Sequence, residues 1–211
     1  MAVTAKLYGT LLQALWAAGI NYSTDTIKAL IYPSTYTPDQ DAHQYRSSVT
    51  EISTIATTLS SAASAGATSV SVAASIGVGN AITIGGNEVR VVTSVTGSGP
   101  YTLNFSGALN NGYASGAAVQ ANAGYTAGGA TLASKSGAYT AGTNTYAIDA
   151  ADLSWPSSSI NGRGVVLYKS TGSAATDQLI GYIDGGADTL SVNGSWSVTF
   201  DAAGIATITA A

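Results

Sequence analysis

Asp39-Gln40-Asp41-Ala42-His43 is the stretch of this chain whose residue types and spacing suggest chemistry. Two carboxylates one residue apart, with an imidazole two residues further on, could ligate a cation: oxygen donors suit a hard ion and imidazole a transition metal. The stretch lacks the glycine and the closing glutamate of an EF-hand loop. A second reading is the first turn of a helix after Pro38, where Asp side chains accept from exposed amides and favour the helix dipole. We adopt the second reading and keep Asp39, Asp41 and His43 as weak metal candidates. His43 is the chain's only histidine. A serine nucleophile on a strand-to-helix elbow would sit in Gly-x-Ser-x-Gly, which does not occur here. General acid–base work on a glycan would need a carboxylate pair, and nothing in the spacing marks one. Gly124-Tyr125-Thr126-Ala127-Gly128-Gly129 fits neither phosphate-loop pattern and reads as a turn before a strand. There is no cysteine, which removes thiol catalysis, disulfides and cysteine–zinc sites. The residues thus assign no catalytic group and no cofactor, and the chain reads as non-enzymatic.

The elements that would position such residues are strands. Among 211 residues only 9% are charged, against roughly a quarter in ordinary globular domains. The surface must therefore be coated with hydroxyl groups and backbone rather than ion pairs. Net charge is −4 and the seven basic residues do not cluster, so a protein tracking nucleic-acid phosphates is not indicated. No run reaches the ~18 apolar residues of a membrane helix. In residues 1–20, Leu7, Tyr8, Leu11, Leu12, Leu15 and Trp16 recur at three- and four-residue spacing, and Gly19 offers a stop. That predicts an amphipathic helix rather than a signal peptide, packed on a β core or on a neighbouring subunit. Residues 27–32 predict a strand buried on both faces and ended by Pro33. Later strands are expected at 145–148, 165–168, 179–184, 195–200 and 205–209, with Trp155-Pro156 closing an edge of the core. Short connectors between them indicate an antiparallel sandwich or barrel.

Residues 57–121 form a neutral β module set inside this domain. Glu88 and Arg90 are its only charged residues, and they share one face of a strand, where they read as a solvated pair. Strands are expected at 69–73, 81–84, 88–95, 102–105 and 117–121, with Gly85-Gly86-Asn87 as a hairpin turn. The expected architecture is mainly β: a discontinuous outer domain of residues 1–56 and 122–211 carrying an N-terminal helix, and an inserted small β domain of residues 57–121.

The outer segments resemble a group of virion structural proteins of tailed bacteriophages. The matching residues are Lys6-Leu7-Tyr8, Asp25-Thr26-Ile27-Lys28, Tyr36-Thr37-Pro38-Asp39, Asp41 with His43 and Tyr45, and Glu51-Ile52. The match continues at Gly124 to Gly129, Leu179-Ile180-Gly181-Tyr182 and Asp201-Ala202-Ala203-Gly204-Ile205. The inserted part is similar to a small β module of phage structural proteins, through Ala65-Gly66-Ala67-Thr68-Ser69, Ile82-Thr83-Ile84-Gly85, Glu88 to Val95 and Gly116-Ala117-Ala118-Val119. The resemblance implies a structural role in the virion, after assembly in the host cytoplasm. On that basis a capsid decoration protein is expected, binding the major capsid protein and its own copies as a homo-oligomer, a trimer being one form. A tail, baseplate or fibre protein is the alternative, and an adhesion module binding host-surface glycans through the inserted domain is a further one. Trp155, Trp196 and the twelve tyrosines would permit a glycan platform. Neither a nucleic acid nor a membrane is expected as partner. The expected protein contacts are Tyr8, Trp16, Tyr36, Tyr45 and Arg46, because aromatic residues and arginine are enriched at interfaces.

Overall fold

The computed structural model describes residues 5–17 and 19–209. Residues 1–4 and Ala18, which belong to the expected N-terminal helix, lie outside the described residues. In chain order the elements are β1 Lys6–Leu7, α1 Thr10–Trp16, β2 Ile27–Tyr32, β3 Ala56–Thr58, β4 Ser69–Val72, β5 Ala81–Ile84, β6 Glu88–Thr96, β7 Tyr101–Phe105 and β8 Ala118–Ala121. They continue as β9 Ala130–Thr131, β10 Ser136–Thr140, β11 Thr145–Asp149, β12 Leu153–Ser158, β13 Asn161–Lys169, β14 Leu179–Leu190, β15 Gly194–Val198 and β16 Ala206–Thr209. The protein is mainly β, with, among the described residues, one short α-helix and curled antiparallel sheets that form a half-barrel.

The outer part is built on a five-stranded sheet of order β1-β14-β13-β2-β9. Strand alternation sends Ile27, Ala29 and Ile31 of β2 to one face and Leu30 and Tyr32 to the other, and all five are buried. The first face joins Val165, Leu167, Ile180 and Ile183 to the Trp155–Trp196 pair of the β12-β15 ribbon. The second face is tyrosine-rich: Tyr8, Tyr32, Tyr36, Tyr168 and Tyr182 surround Leu30, Val166 and Leu179. The both-faces burial expected of residues 27–32 is present. Strand β12, not expected from the sequence, carries Pro156 at a register shift, where a missing donor is tolerated.

The N-terminal helix is shorter than its apolar spacing predicts. Lys6–Leu7 pair with Tyr182 and Gly181 of β14, and the Tyr8 amide donates to the Ile180 carbonyl at 3.1 Å. The Gly9 amide then donates to the Gln40 carbonyl at 3.0 Å. Sheet pairing thus takes the amides that a longer helix would have used, and α1 begins at Thr10.

Residues 56–121 make a separate six-stranded sheet of order β3-β8-β5-β6-β7-β4. Its two end strands meet: Leu59 bridges Val72, the Ser60 amide donates to the Ser71 carbonyl at 2.8 Å, and the Ala73 amide donates to Thr58 at 3.2 Å. The sheet therefore closes into a small barrel filled by its own core, including Val72, Ile76, Ile82, Ile84 and Leu103. A register shift between Val92 and Ser94 supplies the bend that closure needs. The expected strands appear within a residue of their predicted ends. At the β5-β6 turn a Cβ on Gly85 would meet the Tyr113 ring at 2.5 Å, and its φ of +60° is one that side-chain-bearing residues avoid.

Candidate functional site

The Asp39–His43 stretch folds into a single turn, followed only by a one-turn 3-10 helix at Arg46–Ser48. Asp39 Oδ1 accepts from the amides of Asp41 and Ala42, both at 3.0 Å, and these amides hold its carboxyl below the usual range. His43 lies against Tyr36 with nearly parallel rings, 5.5 Å between centroids. Its Nδ1 accepts from the Asp39 amide at 3.1 Å and lies 2.8 Å from the Tyr36 hydroxyl. Metal binding through Nδ1 would require the lone pair that this turn already uses. Among the described residues, no group of three or more His, Cys, Asp or Glu side chains is placed to hold an ion. The capping role expected of Asp39 is realised on a turn rather than an α-helix, because the chain runs on from Tyr36 to Val49 across the tyrosine-rich face.

That covering role also relocates the expected contact residues. Tyr8 and Tyr36 are buried, Tyr8 against Tyr182 at 5.7 Å and Tyr36 edge-on to Tyr32 at 5.5 Å. Tyr45 is half-buried and bridges Gln178. Arg46 Nε donates to Asp177 Oδ2 at 2.7 Å, and its guanidinium lies over the Tyr168 ring, 5.4 Å from the centroid. The Asp177 carboxyl is buried, which opposes its charge, but the Thr171 amide and hydroxyl and Arg46 hold it below the usual range. Burial pushes the phenols of Tyr8, Tyr32, Tyr36 and Tyr168 up, Tyr168 to about 12, so none of these four is poised to lose a proton near neutrality. Of the five expected contacts, Trp16 alone is fully presented, at 91% exposure.

The two tryptophans considered for a glycan platform are also interior. Trp155 and Trp196 meet edge-on at 5.6 Å, Tyr125 joins them at 6.2 Å, and Trp196 Nε1 donates to the Thr189 carbonyl at 3.0 Å. Trp196→Ala is therefore expected to lower stability by about 3 kcal/mol, the scale of a buried aromatic truncation. Urea unfolding measures this. A surface platform would instead lose ligand with the unfolding midpoint unchanged.

The glycine run at 124–129 serves packing. A Cβ on Gly129 would fall 1.8 Å from the Ala29 carbonyl oxygen, so glycine lets the chain cross β2. Glu51 Oε1 accepts from Tyr125 Oη at 2.6 Å and from the Gly128 amide, and the Tyr168 hydroxyl donates to the Gly128 carbonyl at 2.7 Å. The turn expected there is closed by the Gly129 amide on the Thr126 carbonyl at 2.9 Å, and the strand expected after it is the two-residue β9.

Two features were not foreseen from the sequence. One is a polar seam between the barrel and the outer part. Asn122, fully buried with φ +39°, donates Nδ2 to the Ser53 carbonyl (3.0 Å) and to Asn80 Oδ1 (2.8 Å). Its Oδ1 accepts from the amides of Ala81 (3.3 Å) and Asn161 (3.0 Å). Asn161 Nδ2 reaches the Gly79 carbonyl at 2.7 Å, and Asn80 Oδ1 accepts from the Ser53 amide at 2.7 Å. The signal in the sequence was slight: single Asn residues at the ends of small-residue strands.

The other is an uncovered apolar face. Strands β10, β11 and β16 form a three-stranded sheet in which Tyr139, Tyr146 and Ile208 lie opposite one another in a row. The opposite face of that sheet carries Thr140, Thr145, Thr207 and Thr209. Between the apolar row and α1 runs a groove of about 410 Å³ floored by Leu7, Leu11 and Ile180. Leu12, Leu15 and Trp16 of α1 stand exposed on its other side. This arrangement suits burial against another protein surface and presents no reacting group.

No family model, curated protein or solved structure matches the chain.

Proposed function

We propose that this chain is a structural component of a bacteriophage particle: a capsid decoration protein that binds the outer surface of the major capsid protein shell and catalyses no reaction. The observation that carries the reading is the uncovered apolar face at α1 and the β10-β11-β16 sheet. An exposed apolar surface of this extent on an otherwise hydroxyl-coated protein marks a contact with another protein surface, a second copy of the chain included, as a subunit of an assembled shell requires. Supporting it, the placed carboxylates at 39, 51, 88, 177 and 184 are engaged in turns or internal ion pairs. The outer segments carry the resemblance to phage virion proteins. The closed barrel of residues 56–121 suits an inserted, projecting module, since Ala56 and Gln120 are cross-strand partners and its two ends leave the outer part side by side. Many copies on a shell would add weak contacts through avidity.

The test is cosedimentation of the purified protein with phage particles lacking it, followed by imaging. Uniform density over the head at lattice stoichiometry is expected. A chain in which residues 57–121 are replaced by a short Gly-Ser linker should still bind. Density confined to the tail would overturn the decoration reading in favour of a tail, baseplate or fibre role. Absence from both head and tail, with retention on host-surface glycan, would favour adhesion.

A further inference from the structure

We infer that the apolar face at α1 and the β10-β11-β16 sheet is the contact between two copies of this chain, related by a twofold axis, with Trp16 of each copy seated in the groove of the other. The inference rests on reading the chain as an assembly subunit.

Three observations select a second copy as the occupant. First, shape: the face holds both a projecting anchor, the indole of Trp16, and an apolar recess of about 410 Å³ beside it. A twofold rotation places each anchor in the partner's recess, the reciprocal arrangement that closed dimers require. A different protein would have to supply a matching anchor and recess of its own. Second, charge: among the described residues, no charged side chain lines the groove. A twofold contact sets each patch against itself, so any net charge there would repel its own copy. The ammonium of Lys135 reaches the lining residue Tyr22, where it donates to the Tyr22 and Asp25 carbonyls. Third, area: Trp16 is 91% exposed, Tyr139 59%, Leu12 52%, Tyr146 42%, Ile208 40% and Leu15 38%. With aromatic side chains of about 150–250 Å² and aliphatic ones slightly smaller, this is roughly 600–700 Å² of apolar side chain per copy. Two copies would bury roughly 1,300 Å² of it, within the range of specific protein interfaces.

Trp16 also supplies the probe. Trp155 and Trp196 are already buried, so dimerisation changes the environment of one indole in three. Sedimentation velocity of the full chain over a micromolar dilution series is expected to show a monomer–dimer equilibrium. Tryptophan emission should shift to the red as dimers dissociate. Trp16→Ala removes the anchor, and Ile208→Lys places a charge on the groove wall. Both sites are exposed, so circular dichroism and the unfolding midpoint should stay those of the parent. Each change strikes the dimer twice and is expected to weaken it at least about 100-fold.

Mixing the two variants gives the sharper result. The Trp16→Ala chain keeps its groove and the Ile208→Lys chain keeps its anchor. One anchor–groove contact survives in the mixed pair, so a mixed dimer should form where neither variant pairs with itself. A parent chain that stays monomeric throughout, a trimer, or variants that dimerise as the parent does would each overturn the inference. A monomer that still coats capsids would leave the decoration reading intact, whereas a dimer that ignores particles would remove that reading and keep the twofold contact.

Discussion

Asn122→Ala is expected to destabilise the protein by about 4–6 kcal/mol and to split its unfolding into two transitions. The side chain fills all four of its hydrogen-bonding positions inside a buried seam. Its removal leaves the amides of Ala81 and Asn161 and the carbonyl of Ser53 without that partner, at about 1–3 kcal/mol for each buried group left unsatisfied. Alanine also fits φ +39° poorly, which adds roughly 1 kcal/mol. Asn122→Gly removes the same amide but accepts the backbone conformation, so it should be less damaging than alanine by about that amount. Asn122→Asp keeps the shape but turns a carboxylate oxygen toward the Ser53 carbonyl and Asn80 Oδ1, replacing two attractions with repulsions. Calorimetry reads all three. The barrel of residues 56–121 should melt separately from the outer part once the seam is lost. A single transition at the parental temperature would show that the seam does not couple the two parts.

Glu88→Ala should cost about 4 kcal/mol, the scale on which one partner of a buried ion pair is lost. Glu88 is buried, and its Oε1 accepts from Arg90 Nη2 and the Asn110 amide, both at 2.6 Å. Its Oε2 accepts from Tyr113 Oη at 2.9 Å and the Asn111 amide at 3.3 Å. The solvated pair expected from the sequence is instead an interior clamp that ties the 106–113 loop to β6. Burial opposes the charge, but the Asn110 amide, the Tyr113 hydroxyl, the Asn111 amide and Arg90 outweigh it and hold the carboxyl below its ordinary range. A carboxyl lowered by folding stabilises the native state fully above its unfolded pKa, near 4.3, and that contribution fades as pH falls through the native value. Stability should therefore be flat near neutrality and fall as pH drops below about 4. Glu88→Gln should flatten part of the acid limb. Chemical denaturation at a series of pH values checks both. An acid limb identical in Glu88→Gln and parent would mean that the other carboxyls held low in the native state, Asp177 and Asp184 among them, carry the dependence.

Strand content was legible in this sequence because its signal is local. Val70 and Val72, Ile82 and Ile84, and Val89 to Val95 alternate over a few residues, and glycine pairs mark the turns between them, so five of the six barrel strands were placed within a residue and only β3 was not foreseen. The same locality misled at the N-terminus. Leu7 and Tyr8 continue the helical spacing of Leu11 and Leu15, yet their amides and carbonyls face β14, some 170 residues later. No pattern inside a short window carries that competition. The aromatic segment at 36–46 read as surface because it is polar. It became a core lid because alternation in β2 and β13 had put Tyr32 and Tyr168 on a face that needed covering.

Composition and periodicity by themselves determined that the chain would be mainly β, sparsely charged and divided by a neutral module at 57–121. These follow from side-chain type and nearest-neighbour geometry, which a linear chain displays directly. Closure of the barrel through Leu59 and Val72, the burial of both core indoles, the clamp on Glu88, the seam at Asn122 and the exposure of Trp16 beside a groove were decided only by the tertiary structure. Each depends on which distant strand comes to lie against which. An apolar residue is drawn to any surface that excludes water, and only the completed packing shows which of those surfaces the chain covers itself and which it leaves to a neighbour.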